Sequence, residues 1–259
     1  MINLRNAGVR FASRWIFRHL ELSMASGTSL ALLGPNGRGK TTLIRTLIGT
    51  QPLSEGRREA PALIGYVPQI GAPAAYRVLD MVVMGLTHRL GIFGSPTKDH
   101  YRSACGALEL VGLAALANEP FNLISGGERQ LVLIARALAT GARTIVLDEP
   151  ASALDLANQH RLVVILNELR ESGSYTIIFS THLPQHALLC SDEAVLLLPQ
   201  GEVARGATST ILNEAILEQT YNVPVRRIPV AGQADAIVPL LGAHGTAELT
   251  SRFGSKHHG

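Results

Sequence analysis

A glycine-rich loop between a predicted strand and a predicted helix constrains the fold of this chain more than any other segment. An apolar run at 30–33 precedes the loop, and apolar residues at helical spacing follow it until Gly49. Glycines in such a loop let successive backbone N–H groups point at an anion at the start of the helix. We therefore predict a loop that binds the phosphates of ATP, with Lys40 at the β- and γ-phosphates and the Thr41 hydroxyl on Mg²⁺. The predicted ATP-binding residues of this loop are Gly34, Pro35, Asn36, Gly37, Arg38, Gly39, Lys40, Thr41 and Thr42.

Strand and helix patterns alternate through the second half of the chain. The runs 144–148 and 175–180 are short and mostly apolar, and a helical pattern spans about 155–171 between them. Such runs are typical of strands buried on both faces, so we predict an α/β fold with a parallel sheet. The first thirty residues alternate like β-strands, and residues 76 to about 116 form a helical insert. From Val230 onward the chain has little pattern, which predicts a loose tail.

Composition and charge limit the classes of function. No apolar stretch approaches the ~20 residues of a membrane-spanning helix, and the N-terminus lacks the pattern of a signal peptide, so we expect a cytoplasmic chain. Cys105 and Cys190 are too few for a disulfide framework or a zinc site, and we expect both to be core thiols. The formal charge is only +3 and the basic residues are scattered, which gives no indication of nucleic-acid binding. A mean hydropathy of +0.20 suggests an apolar face that contacts partners.

A pair of carboxylates ends one of the buried runs. Asp148 is placed to hold Mg²⁺, and Glu149 beside it is placed to polarise the water that attacks the γ-phosphate. The alternative is that the pair caps the next helix, a role that Pro150 would suit.

Two further sites are ambiguous from the residues alone. Ser125 and Glu128 have the spacing of a capping box, yet Gly126 and Gly127 between them weaken the helix and expose N–H groups that an incoming phosphate could use. His182 follows a buried strand, where a lone histidine is usually a packed core residue.

Taken in order, these residues resemble the ATP-binding cassette (ABC) proteins over residues 2 to 227. Residues 34–42 are similar to the Walker A loop, Gln69 to the Q-loop, 124–130 to the signature, 144–149 to Walker B, 152–155 to the D-loop and His182 to the switch histidine. The resemblance implies a P-loop NTPase fold with an N-terminal antiparallel β-subdomain, a mainly parallel RecA-like core sheet and a helical subdomain at about 76–140. The cassette would span 1–227, with a C-terminal tail at 228–259.

The resemblance also assigns roles within a head-to-tail homodimer that binds ATP and Mg²⁺. It implies that Glu149, His182 and Gln69 act in hydrolysis and that Thr41, Gln69 and Asp148 hold the metal ion. The signature residues Ser125, Gly126, Gly127 and Glu128 would cover the γ-phosphate held by the other copy, and Ser152 and Asp155 would form the D-loop.

Three positions depart from the family pattern or leave a choice open. Arg38 replaces a small residue, and we expect its side chain to point to solvent rather than to strengthen ATP binding. Glu128 stands where glutamine is most usual, as it does in some importers. The aromatic ring that stacks on adenine aligns near Phe11, and Trp15 is the competing candidate; either ring could instead belong to the core.

Several segments resemble one branch of the family, the importers of iron–siderophore, haem, cobalamin and molybdate. These are 155–160, 179–186, 221–224 and 75–85, together with the short link 53–64. The resemblance implies a peripheral ATPase at the cytoplasmic face of the inner membrane, with two transmembrane permease subunits and a substrate-binding protein as partners. A groove within 69–94 would receive the permease through Tyr76, Met81, Met84 and Leu86, unless these residues pack within the helical insert.

Two other classes of ATPase compete with this interpretation. A cassette acting on DNA or ribosomes is disfavoured, because the chain has one cassette and no sustained heptad run. A single-subunit nucleotide kinase would use the phosphate loop but would have no use for a signature that faces a partner.

Overall fold

The computed structural model describes residues 1–69, 75–90 and 94–241. Its strands are β1 Ile2–Phe11, β2 Arg14–Met24, β3 Ser29–Leu33, β4 Glu55–Glu59, β5 Gly65–Val67, β6 Thr144–Leu147, β7 Thr176–Thr181, β8 Glu193–Leu197, β9 Val203–Ala207, β10 Val225–Ile228 and β11 Ala236–Pro239. Its α-helices are α1 Lys40–Ile48, α2 Val78–Val83, α3 Lys98–Leu110, α4 Gly126–Ala139, α5 Leu156–Glu171, α6 Pro184–Cys190, α7 Thr208–Ile211 and α8 Glu214–Tyr221.

The central sheet has six strands in the order β5-β6-β7-β3-β8-β9. The first five are parallel, and β9 pairs antiparallel with β8 at the edge. Every residue of β3, β6 and β7 is buried, as expected for parallel strands covered on both faces. The predicted α/β fold with a mainly parallel sheet is therefore confirmed.

The register of this sheet places three loops side by side. Leu33 pairs with Thr181 across β3 and β7, and Leu147 pairs with Phe179 across β6 and β7. Because parallel strands end at the same edge, the loops that follow β3, β6 and β7 emerge together. Those loops carry the glycine-rich segment, the carboxylate pair and the histidine.

The N-terminal strands form a separate antiparallel sheet in the order β2-β1-β4. Its apolar face, which includes Phe17 and Leu22, packs in one cluster with Ile44 of α1 and Ile178 of the central sheet. This packing confirms the predicted antiparallel β-subdomain and supports the sheet and helix on either side of the glycine loop.

The helical insert consists of short helical segments and extends to a 3₁₀ turn at Ala114–Leu116, as predicted. A 3₁₀ turn at Met84–Arg89 follows α2, and α3 packs with α2 and α4 around buried residues such as Val82 and Leu108. Cys105 on α3 is only partly buried, so the prediction of a core thiol is wrong there. It is confirmed for Cys190, where burial raises the pKa of the thiol to about 12. Among the described residues, no helix is long and apolar enough to cross a membrane.

The C-terminal region is more ordered than its sequence pattern indicated. Two helices, α7 and α8, follow β9, and the Asn213 side chain accepts the Ile216 N–H at the start of α8. The predicted loose tail contains β11, which pairs with β10 as an antiparallel hairpin. An ion pair of 2.9 Å between Arg227 and Asp235 holds that hairpin, and such a contact leaves no periodic signal. Residues 242–259 of the predicted tail lie outside the described residues.

The two phenylalanines of the N-terminal sheet give a matched test of this packing. Phe17 is fully buried, whereas Phe11 is 50% exposed. We expect Phe17→Ala to lower the free energy of unfolding by about 3–5 kcal/mol, because it leaves a cavity in the shared cluster. Phe11→Ala should change it by less than about 0.5 kcal/mol. Urea denaturation of both variants measures the difference, and equal losses would contradict this assignment of the core.

Candidate nucleotide site

The glycine loop lies between β3 and α1, as predicted, and its backbone requires glycine. Gly34, Gly37 and Gly39 have φ values of 149°, 78° and 101°, which side chains disfavour. A Cβ at Gly39 would also collide with Ile16. No side chain caps α1, and its first turn contains no acidic residue. The N–H groups at the start of α1 are therefore available to an anion.

A cavity of about 380 Å³ opens beside this loop. Asn36, Gly37, Gly39, Lys40, Thr41 and Thr42 line it, together with Ile16, Gln69 and Glu149. The structure thus brings the predicted loop together with Gln69 and Glu149, which lie far from it in the sequence.

Lys40 and Glu149 form a buried ion pair at the centre of the site. Lys40 is 4% exposed, and its Nζ lies 2.9 Å from Glu149 Oε1. The same ammonium donates to the carbonyls of Gly34 and Pro35 at 2.8 and 3.2 Å. Burial raises the pKa of the Glu149 carboxyl, but hydrogen bonds and charges from Lys40 and His182 outweigh it, so the pKa lies below its usual value. Glu149 is therefore ionised at neutral pH, as a general base must be.

The Asp148 carboxylate accepts hydrogen bonds from two hydroxyl groups and does not cap a helix. Its Oδ1 accepts from Ser180 Oγ at 2.7 Å and from Thr41 Oγ1 at 3.3 Å, and the residue is 3% exposed. A buried carboxylate beside the loop threonine fits Mg²⁺, which proteins bind through one or two carboxylates plus substrate phosphates.

The backbone at Glu149 explains how the two carboxylates face different partners. Glu149 has a φ of 45°, uncommon for a residue with a side chain, and its N–H donates to Ser180 Oγ at 2.8 Å. The alternative that the pair caps the next helix is wrong, since α5 begins at Leu156 and Asp155 caps it. Ser180, which the sequence analysis did not select, contacts both carboxylate residues. Its only signal is a hydroxyl that directly follows the apolar run 177–179 of β7.

His182 lies in the site and not in the core. Its Nδ1 is 3.1 Å from Glu149 Oε2, and its side chain is 38% exposed. The alternative of a packed core histidine is therefore wrong.

The signature residues do not line the cavity of their own chain. Ser125 and Glu128 form the capping box, with the Glu128 N–H donating to Ser125 Oγ at 3.2 Å and the Ser125 N–H donating to Glu128 Oε2 at 2.8 Å. Hydrogen bonds from the side chain and the backbone N–H of Ser125 lower the pKa of the Glu128 carboxyl. Ser125 is exposed, Gly126 is half-buried, and Gly127 is buried so tightly that a Cβ would collide with Asn158.

The D-loop residues have local roles in the single chain. The Ser152 N–H donates to the Glu149 carbonyl at 3.2 Å, which links this loop to the carboxylate pair. Asp155 accepts the Asn158 N–H at 2.8 Å as the N-cap of α5. Neither residue lines the cavity.

A second cavity, of about 330 Å³, shares Ile16 and Gly37 with the first. Trp15 and Arg38 line it, and Arg38 is half-buried; that the Arg38 side chain points to solvent stays a prediction. Phe11, which the sequence aligned with the adenine-stacking ring, lines neither cavity, because β1 ends there at the surface. The guanidinium groups of Arg10 and Arg18 lie 5.3 and 4.5 Å from the centre of the Trp15 ring.

The predicted partner groove is only partly exposed. Tyr76 and Met84 are 53% and 37% exposed and line an apolar depression of about 330 Å³. Met81 and Leu86 are buried within the helical insert, so their assignment to the groove is wrong. Residues 70–74 and 91–93 of the predicted groove lie outside the described residues.

Comparison with known proteins places this geometry in a family. A family model described as ABC transporter matches residues 17–152. The molybdate import ATP-binding protein MolC of Haemophilus influenzae is 38% identical over 226 residues, covering 86% of this chain and 89% of its own. The "Probable iron chelatin transport ATP-binding protein" of Helicobacter pylori is 30% identical over 243 residues, covering 88% and 95%. A solved inward-facing structure of an ABC transporter assigned to the metal-chelate type superimposes with a TM-score of 0.87 at 35% identity, covering 93% of this chain and 98% of that one.

Proposed function

We propose that this chain, which belongs to the ABC transporter family and is an ATPase, powers the import of an oxyanion or a metal chelate through separate membrane subunits. The observation that carries the proposal is the meeting of Lys40, Glu149 and His182 at one edge of the sheet, beside a phosphate-binding loop. The cargo class comes from the relatives, which include a molybdate import protein and a metal-chelate type transporter. The comparisons give no support to a cassette acting on DNA or ribosomes.

Hydrolysis begins when the phosphates of ATP reach Lys40. The ammonium exchanges the loop carbonyls and Glu149 for phosphate oxygens, and Glu149 is then free to polarise a water molecule aligned with the γ-phosphate. Thr41 and Asp148 would hold Mg²⁺, with Gln69 lining the same cavity, and the ion would neutralise phosphate charge.

His182 positions Glu149 relative to the γ-phosphate. Its Nδ1 faces Glu149, which leaves Nε2 on the other side of the ring for a γ-phosphate oxygen. An imidazole placed in this way acts by electrostatics and by positioning rather than by covalent chemistry.

A second copy of the chain completes the site. Ser125 is exposed and lines no part of its own cavity, and it begins a helix whose N–H groups attract anions. In a head-to-tail homodimer Ser125, Gly126 and Gly127 cover the γ-phosphate of the other copy, with Ser152 and Asp155 at the junction. Closure of the dimer is then the movement that drives the membrane partners.

Two permease subunits contact the exposed part of the helical insert. Tyr76 and Met84 provide an apolar surface that suits a helix of a partner. The chain would lie peripherally at the cytoplasmic face of the inner membrane, and a substrate-binding protein would complete the importer.

The carboxylate that we assign as general base has a direct test. We expect Glu149→Gln to lower kcat for ATP hydrolysis at least about 100-fold, because the amide cannot take a proton, while ATP binding is retained. Glu168→Gln, the same change at an exposed position of α5, should leave kcat unaltered. A phosphate-release assay and size-exclusion chromatography with saturating ATP measure hydrolysis and dimerisation. Full hydrolysis in Glu149→Gln would refute the assignment. A variant that stays monomeric with saturating ATP would favour the interpretation as a nucleotide kinase.

The choice between Trp15 and Phe11 as the adenine contact can be decided by fluorescence. We favour Trp15, which lines the second cavity and is the single tryptophan of the chain. ATP should therefore change the intrinsic emission. Stacking on a base contributes about 1–3 kcal/mol, so Trp15→Ala should weaken ATP binding roughly 5- to 100-fold, whereas Phe11→Ala should not. The reverse pattern would assign the contact to Phe11.

The membrane partner is tested by a charge placed on the exposed apolar surface. Met84→Glu should reduce uptake of labelled molybdate or iron chelate at least about tenfold in proteoliposomes that contain the permease, with the substrate-binding protein added, equivalent to about 1.4 kcal/mol of docking free energy. ATP hydrolysis by the isolated chain should persist. Leu110→Glu, also exposed on the helical insert, is the control. If wild type imports neither cargo, the proposed cargo class is wrong.

A further inference from the structure

Gln185 joins the C-terminal hairpin to the segment that carries His182. It lies in the first turn of α6, three residues after the histidine. Its side-chain Nε2 donates to the Asp235 carbonyl at 3.1 Å, and its Oε1 accepts the Ile237 N–H at 2.8 Å. One amide side chain therefore pairs with the edge strand β11 as a peptide group of a neighbouring strand would, and both of its polar ends are satisfied.

The hairpin that Gln185 binds is itself fixed to the body of the chain. Arg227 pairs with Asp235 at 2.9 Å and donates to the Ser209 carbonyl at 2.6 Å. The Arg227 N–H donates to Glu214 Oε1 at 2.8 Å. These contacts join the hairpin to α7 and α8. The segment that Gln185 binds is therefore fixed to the rest of the chain.

His182, in contrast, has few restraints of its own. Its side chain is more than one-third exposed, and its hydrogen bond to Glu149 is a contact that the bound nucleotide must share. An apolar cavity of about 330 Å³ lies beside it, lined also by Gln185, Tyr221 and Ile237. The segment 182–185 is thus not fixed by close packing on this side. The Leu183 N–H donates to Thr181 Oγ1 at 3.0 Å, and on the side of the cavity the hydrogen bonds of Gln185 are the polar contacts that hold the segment.

We infer that Gln185 is a positioning residue for hydrolysis: its two hydrogen bonds to β11 hold the start of α6 so that His182 keeps its place beside Glu149. The inference rests on the proposed role of His182. It assigns a function to the hairpin, which the sequence pattern had left outside the cassette. A shift of about 1 Å in a positioning group can lower a rate about 100-fold. Loss of the two hydrogen bonds of Gln185, three residues from His182, is therefore sufficient to lower the rate of hydrolysis.

The test is a double-mutant cycle between Gln185 and His182, measured as steady-state ATP hydrolysis by the full chain. We expect Gln185→Leu to lower kcat about 10- to 100-fold and to change KM for ATP less than about twofold, since the phosphate loop is untouched. In the His182→Ala background the same substitution should have no further effect, because there is no imidazole left to position. Gln233→Leu, an exposed change in the same hairpin, is the matched control.

Other outcomes distinguish the positioning role of Gln185 from the proposed role of His182. An equal loss of kcat from Gln185→Leu with and without His182 would make Gln185 a general structural residue and overturn the inference. An unchanged kcat in Gln185→Leu would overturn it as well. An unchanged kcat in His182→Ala alone would instead refute the proposed role of the histidine. If Gln185→Leu does not fold, Gln185→Glu decides: it keeps the acceptor for the Ile237 N–H and loses the donor to Asp235, and it should lower kcat only when His182 is present.

Discussion

The buried ion pair between Lys40 and Glu149 joins the two halves of the nucleotide site. Lys40 belongs to the loop after β3 and Glu149 to the loop after β6, and both charges are largely removed from water. Buried charges require partners, so neither side chain can leave without a replacement. In the proposed mechanism, phosphate supplies the replacement for Lys40, and release from the ammonium leaves Glu149 able to act on water. Arrival of the nucleotide and activation of the base would then be one exchange of partners.

The order of strands makes this pair possible. Because β7 lies between β6 and β3, the residues at its end reach the loops on both sides. Ser180 donates to Asp148 and accepts the Glu149 N–H, and His182 contacts the Glu149 carboxylate. The positive φ at Glu149 turns the chain sharply between two carboxylates that need different surroundings. One buried strand and the residue that follows it thus contact both carboxylate residues.

Local sequence was sufficient for the parts of the site that local physics determines. The loop at 34–42, the strands around it and the capping box at Ser125 all depend on residues within a few positions of one another. The sequence did not show which surfaces are buried by helices and strands that lie far away along the chain. Helical spacing did not distinguish buried Met81 from exposed Met84, because both lie on apolar faces and only the packing of α4 separates them. The C-terminal hairpin was missed for the same reason, since an ion pair and the amide of Gln185 stabilise it rather than a periodic apolar pattern.

In the proposed homodimer the signature residues stabilise their own helix and also contact the nucleotide of the other copy. In the capping box Ser125 Oγ accepts the Glu128 N–H. Glu128 binds the Ser125 N–H and leaves the following N–H groups of Gly126 and Gly127 at the open end of α4. A cap that stabilises the helix therefore also presents donors to an anion. Ser125, Gly126 and Gly127 do not line the nucleotide cavity among the described residues, which agrees with the proposal that they cover a phosphate held by another copy.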